Sequence, residues 1–477
     1  MTALIAIGVV VSSILFLCGT YIIWPSRWNI PAHLNLGLGL VGYVIPVFFA
    51  GVLETFPQDI VRFYAKVLVV GAIFYLLGLL VGGRIPVRRL LRLRFSFSSL
   101  PYQVFKTRVA RRSTVILILG LAGLLLSFYV MGFIPMFAAD PMAAKFFRGE
   151  YEASFRRVSY LYRFSDEAVV ALLPVALVLW YVTRRAKFLV LSLMAVIVIS
   201  LTLQRGHMGF GIMLFLGLVA ARRRNWFWIY VVVVLLVFPF GAAIYHFAGN
   251  LFGVDKFMLV EADTPWDLIT RGAPDVPDQL NLMAAFLDYG HFTYGRTFIG
   301  GAFPGSGNYL WNPAVWALTL LYGGVNRANV SEIVSGGLRL PVAMWGYTAF
   351  GWTGIVTVSF LSGLIGGWTT AFVKRFVGEK SMLTSMMALA VYGSVGSQLA
   401  QFYVMSINSL PAILVYLILA RRGQAVASSA STENAGKPIL PENHQPLRGR
   451  AEGQGSAVNP PLPYVSHRFV PDRGRSG

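Results

Sequence analysis

Apolar runs of about twenty residues recur along this chain, the length a helix needs to cross a bilayer. Candidate spans fall at 4–24, 34–53, 65–83, 114–134, 168–183, 188–204, 207–221, 226–248, 343–372, 382–402 and 404–420. With 56% hydrophobic and 13% charged residues, the chain is more apolar than a soluble globular protein. The expected fold class is therefore an all-α polytopic membrane protein of about 11 transmembrane helices. The first run is read as a retained helix and not a removed signal peptide. Residues 1–421 form the membrane domain. Residues 422–477, rich in Pro, Gly, Ser, Asn and Gln, read as a disordered cytoplasmic tail.

The net charge of +20 raises the question of nucleic acid. Position answers it, because the basic residues cluster beside apolar runs, as the positive-inside rule describes. Segment 84–112 carries nine Lys and Arg and no acid, so it is placed in the cytoplasm. Parity puts 25–33, 184–187, 222–225, 373–381 and the end at 421 on the same side. Together these segments hold 21 basic residues against one acid, Glu379. Loops 54–64, 135–167 and 249–342 hold fifteen acids and fall on the opposite side. The N-terminus is then outside and the C-terminus in the cytoplasm. Cys18 is the only cysteine, which excludes an internal disulfide or a cysteine metal site.

The same parity decides how to read LTLQRGHMGF, residues 201–210. One helix between the two basic clusters would be roughly 50 Å long, against a hydrocarbon core of about 30 Å. Two short spans with a turn near Arg205–Gly206 fit, which moves Arg205 to the outer rim of the membrane. No acid lies within thirty residues of Arg205, so its partner comes from elsewhere in the fold or from a ligand. The arginines of 145–163 have acids nearby, as in FRGEYEASFRR, and are expected to pair with them.

Loop 249–342 is the large extracytoplasmic loop. It contains Arg271, Arg296, Arg327, Arg339, Trp266, Trp311 and Trp316. Residues 277–290 read as a short amphipathic helix lying at the interface, with Asp278 as N-cap and Gly290 as stop. Planar guanidinium groups suit bidentate phosphate contacts, so Arg205 and Arg296 suggest a lipid-linked phosphate or pyrophosphate. His207 accompanies the first as scaffold or ligand contact, and Trp311 offers a face for stacking a sugar. Asp288 and His291 form an acid–base pair if their helix continues, and Glu332 is a further candidate base. No Walker A motif is present, no Asp-x-Asp occurs, and no His/Asp/Glu cluster has metal spacing.

The stretch DYGHFTYGRTFIGGAFP (288–304) resembles a segment of the bacterial oligosaccharide repeat-unit polymerases, the Wzy-type O-antigen and exopolysaccharide polymerases. GFIPMF (132–137), LQRGHMG (203–209), NPAV (312–315) and GYTAFGWTGI (346–355) are similar to further segments of that family, in the same order. The resemblance covers about residues 115–420. It implies a GT-C-like fold and polymerisation of undecaprenyl-pyrophosphate-linked repeat units outside the cytoplasmic membrane, without metal or cofactor. It assigns Arg205 and Arg296 to pyrophosphate, with Arg339 assisting. A flippase and a chain-length regulator are the implied protein partners. Where family members often carry Glu and Asn before FG, this chain has Trp345 and Ala349, so the base is open between His291, Asp288 and Glu332. The rival readings are an O-antigen ligase or other lipid-linked sugar transferase, and a flippase.

Overall fold

A computed structural model of the protein describes residues 2–85, 102–203, 205–251, 275–289, 291–300, 311–321, 340–378, 381–393 and 410–420, with backbone alone at 2, 142, 205–208, 224, 241–251, 289, 314–315, 410 and 420. The chain divides into a unit Met1–Arg422 and a tail unit Gly423–Gly477, the latter wholly outside the described residues. Among the described residues every regular element is helical. Leaving aside short turns of helix between them, these are in order α1 (Thr2–Cys18), α2 (Ile30–Gly39), α3 (Gln58–Arg84), α4 (Tyr102–Met131) and α5 (Tyr151–Thr183). The hairpin α6 (Ala186–Leu201) and α7 (Arg205–Arg222) follows, then α8 (Arg224–Leu251), α9 (Asp275–Tyr289), α10 (Arg296–Ile299) and α11 (Pro313–Leu321). The chain then forms α12 (Val342–Val373), α13 (Met382–Val391) and α14 (Leu410–Ala420).

Among the described residues, five helical stretches are long and apolar enough to cross a membrane: Ile30–Phe48, Gln58–Arg84, Tyr102–Phe137, Tyr151–Thr183 and Val342–Val373. Several start well before the apolar run that signals them. α5 begins at Tyr151 although the apolar run begins near 168, because 151–167 contains neither Gly nor Pro to end a helix. At 33 residues α5 is about 50 Å long and projects beyond a hydrocarbon layer. Much of 135–167 is therefore helix, not loop. Glu152 and Arg156 form the expected local pair at 2.6 Å, one turn apart and exposed, where such pairs add little stability. Pro174 lies inside α5 and leaves the Val170 carbonyl without its helical donor. Tyr416 Oη donates to the next carbonyl, that of Ala171, at 2.9 Å.

Two cores organise the chain. One surrounds α5, where Leu172, Leu173 and Leu179 meet Leu117 and Leu124 of α4, Ala195 of α6, Leu218 of α7 and Met386 of α13. The other surrounds α3 and α12 and also takes up Val9 of α1, Met283 of α9 and Trp316 of α11. Large apolar side chains outside these cores, such as Leu119, Leu126 and Tyr129 on α4, stay exposed, as on a lipid-facing wall.

The tightest contact joins α3 to α12. Both carry glycines four apart, Gly78 and Gly82 on α3, Gly363 and Gly367 on α12. A Cβ at Gly78 would lie 2.0 Å from the Phe360 carbonyl oxygen, and one at Gly363 would lie 2.0 Å from that of Tyr75. Small residues at this spacing let helix backbones touch where no hydrophobic force between helices is available.

Gly363→Ala is expected to lower the thermal unfolding midpoint of the detergent-solubilised protein, by the equivalent of about 1–3 kcal/mol for overpacking. Gly378, whose Cβ would meet nothing within 4 Å, tolerates alanine with no change. An unchanged midpoint for Gly363→Ala would mean that the helices are not in backbone contact.

Candidate functional site

α12 is not continuous. Phe350 (φ −142°, ψ 18°) and Gly351 (φ 65°, ψ −144°) leave helical geometry within it, and Gly351 supplies a backbone conformation that L side chains resist. Carbonyls ahead of such a break lose their helical donors. The backbone N–H of Thr293 donates to the Thr348 carbonyl at 2.9 Å, and that of Tyr294 to the Ala349 carbonyl at 3.1 Å. The HFTYGRT stretch thus docks on the FG break. The ring of Phe292 sits 3.3 Å from where a Gly351 Cβ would be. Phe292 and Tyr347 meet edge to face at 6.1 Å, and Tyr347 meets Trp352 at 6.0 Å.

Tyr294 (φ 49°) and Gly295 (φ 76°) are both left-handed, and the Arg296 N–H closes on the Thr293 carbonyl at 3.0 Å. Two successive positive φ values with that bond make a type I′ turn. A tyrosine in this conformation carries strain, a feature that gathers at functional positions. The turn delivers Arg296 to the start of α10, with its guanidinium carbon 5.0 Å from the centre of the Trp311 ring. Gly300 makes this possible, since its Cβ would lie 2.3 Å from the Trp311 carbonyl carbon. Arg296 is exposed and Trp311 half-buried, so the planar fork rests on an aromatic face with its edge toward solvent.

α9 seats this assembly from below. It begins at Asp275, so Asp278 lies in its first turn and is not the N-cap. Val276, Gln279, Leu280, Leu282 and Met283 are all fully buried, so α9 is a packed internal helix with only a narrow exposed strip, and not one resting on a surface. Buried Tyr64 of α3 donates to Gln279 Oε1 at 2.6 Å, and Gln279 Nε2 donates to Tyr43 at 3.0 Å. Tyr43 stands in a π-helical turn, Leu40–Val44, which shifts its register from that of an α-helix. A buried amide with both ends satisfied fixes one arrangement of three elements.

The site residues expected from sequence divide accordingly. Arg296 and Trp311 come together. Asp288 and His291 are both exposed beside them in sequence, but α9 ends at Tyr289, so helical spacing does not pair them. Arg205 opens α7 after a turn at 202–203, with Leu203 left-handed (φ 61°). Two helices separated by a turn thus stand at the place of the expected hairpin, with the turn before Arg205 rather than at Arg205–Gly206. The side chains of Arg205 and His207, and all of Glu332 and Arg339, lie outside the described residues. Trp345 and Ala349 are both core residues, and Ala349 serves the site through its carbonyl. Sequence reading missed Asp166, 3% exposed on α5. The unbroken helical stretch from 151 was the signal that it lies inside a long apolar helix. It also missed an apolar cavity of about 700 Å³ at the end of α4, lined by Tyr129, Gly132, Phe133, Ile134 and Phe137 of the GFIPMF region.

Compared with protein-family models, curated proteins and solved structures, the chain finds no match.

Burial, and then the charge of Asp275, push the Asp278 carboxyl from its ordinary 3.8 up to about 6. A raised carboxyl favours the fold while protonated, so this contribution is complete below about 3.8 and is lost as pH rises through about 6. Melting curves taken between about pH 4 and pH 7 should therefore fall more steeply for the natural protein than for Asp278→Asn. Parallel curves would remove Asp278 from the balance.

Proposed function

We propose that this protein polymerises undecaprenyl-pyrophosphate-linked oligosaccharide repeat units into a surface polysaccharide, O-antigen, capsule or exopolysaccharide. The proposed setting is the outer side of a bacterial cytoplasmic membrane, in a GT-C-like frame of about eleven spans. The observation that supports it most is the seating of Arg296 on Trp311, where the turn 293–296 docks against the α12 break. Two of the segments that resemble the polymerase family, DYGHFTYGRT and GYTAFGWTGI, are thereby joined by backbone hydrogen bonds.

In the proposed reaction an acceptor sugar hydroxyl attacks the anomeric carbon of the lipid-linked chain. The new C–O bond forms as the bond to pyrophosphate breaks, and the lipid pyrophosphate departs with the electron pair. The hydroxyl proton passes to a base, for which His291, Asp288 and Glu332 are the candidates. Arg296, with Arg205 and Arg339, would stabilise the departing charge. Preorganised cationic donors act most strongly where charge develops, and stacking on Trp311 preorganises the Arg296 fork. The apolar cavity at the end of α4 suits a segment of the polyprenyl chain. Flippase and chain-length regulator would act before and beside it.

Deletion followed by gel analysis of the glycan tests the activity. Single repeat units on their normal acceptor are expected. Long chains persisting on the lipid carrier would make the protein a ligase, and units trapped on the cytoplasmic leaflet would make it a flippase. Arg296→Lys and Arg205→Lys keep charge and lose the planar fork. Each should reduce long polymer at least about tenfold, as expected for a charge-assisted hydrogen bond of roughly 1.5–3 kcal/mol. Full-length polymer at normal protein levels in either variant would defeat the phosphate role of that residue.

A further inference from the structure

A polar cavity, distinct from the apolar one at the end of α4, lies where several helix ends gather. α5 closes on Arg184, held left-handed at φ 56°. α7 ends at Arg222 and α8 begins at Arg224, with Arg223 between them. α4 opens at Tyr102, and α13 opens after Ser381. Tyr102, Tyr181, Arg184, Arg222, Arg223 and Ser381 line a cavity of about 560 Å³. It follows the C-terminal end of α12, whereas the helix break lies near the N-terminal end, about 33 Å away along the helix.

The lining is arranged for an anion. Three arginines line it, all exposed and with no carboxylate partner among the described residues. The Arg184 guanidinium carbon rests 4.9 Å from the centre of the Tyr181 ring, which holds its donors in one plane. Ser381 Oγ accepts from Thr384 N–H at 3.2 Å and from Thr384 Oγ1 at 2.9 Å. Its own hydroxyl hydrogen is left to donate outward. α13, ten residues long, turns its N-terminal end toward the same space, which adds positive potential. Three like charges thus line one cavity, large enough for a phosphate ester and its substituent.

We propose that this cavity is a binding site for a phosphate group, separate from the polymerisation site. Basic pockets between membrane helices on the cytoplasmic side suit anionic lipid headgroups, and this end of the bundle is the one read as cytoplasmic. The same donors suit a soluble phosphate compound. The bound anion ties the ends of α5, α7 and α13 together by neutralising their mutual repulsion.

The full chain, purified into nanodiscs, tests this by arginine modification with phenylglyoxal, read peptide by peptide in a mass spectrometer. Three conditions are compared: phosphatidylcholine alone, phosphatidylcholine with phosphatidylglycerol, and phosphatidylcholine with inorganic phosphate in the buffer. Arg184, Arg222 and Arg223 should be protected several-fold in one of the last two, with Arg185, their exposed neighbour outside the cavity, unprotected. Protection by phosphatidylglycerol assigns the phosphate to a lipid, and protection by inorganic phosphate assigns it to a soluble ligand. Equal modification in all three conditions, or equal protection of Arg185, overturns the proposal. Arg184→Gln/Arg222→Gln/Arg223→Gln should weaken the protecting anion on the order of 100-fold, read as the anion concentration that raises the melting midpoint. Arg185→Gln/Lys187→Gln should leave that concentration unchanged. Equal weakening in both variants would mean a diffuse surface charge and not a site.

Discussion

Gly78 and Gly82 on α3 lie against the Phe360 and Leu364 backbone of α12, and Gly363 and Gly367 on α12 lie against the Tyr75 and Leu79 backbone of α3, at distances that admit no side chain. Backbone-to-backbone contact of this kind fixes depth and rotation together, because both helices present carbonyl oxygens where a Cβ would stand. The candidate site is built on the two helices so fixed. α12 carries the break at Phe350–Gly351 that receives the Thr293 and Tyr294 N–H groups. α3 carries Tyr64, which holds α9 through Gln279. α9 leads directly into the turn that presents Arg296. A change in the glycine contact would therefore move both walls of the site relative to each other.

The break itself follows the same logic on a smaller scale. A helix interrupted inside an apolar bundle exposes carbonyls where water is scarce, and each needs a donor. Here the donors come from a segment distant in sequence, so the interruption serves as a docking point. Gly346 and Gly354 narrow the helix on either side, since a Cβ at Gly346 would lie 2.5 Å from the Gly354 carbonyl. The strain at Tyr294 is held by bonds on both flanks, which keeps Arg296 and Trp311 in register.

Much of this was legible in the sequence, and the reasons differ by feature. Long apolar runs marked the spans because bilayer thickness leaves few alternatives. Helix ends were less legible, as α5 shows: Glu152, Arg156 and Asp166 are polar, yet nothing in 151–167 stops a helix. The bend before Arg205 was recoverable from charge parity alone. The seat of Arg296 was not, because Trp311 stands fifteen positions away and the close approach depends on Gly300, where a Cβ would meet Trp311. The fully buried Gln279 looked like part of a surface helix, because its partners, Tyr43 and Tyr64, are more than two hundred positions away. Local periodicity carries no information about such partners.

The central claim is that Arg296, held on Trp311 beside the α12 break, receives the pyrophosphate of a lipid-linked sugar. An electron cryomicroscopy structure of the protein with an undecaprenyl-pyrophosphate-linked repeat unit bound tests it directly. The account expects pyrophosphate oxygens within about 3 Å of the Arg296 guanidinium, as a charge-assisted hydrogen bond requires. Pyrophosphate density elsewhere in the bundle, with Arg296 facing only solvent, would contradict it.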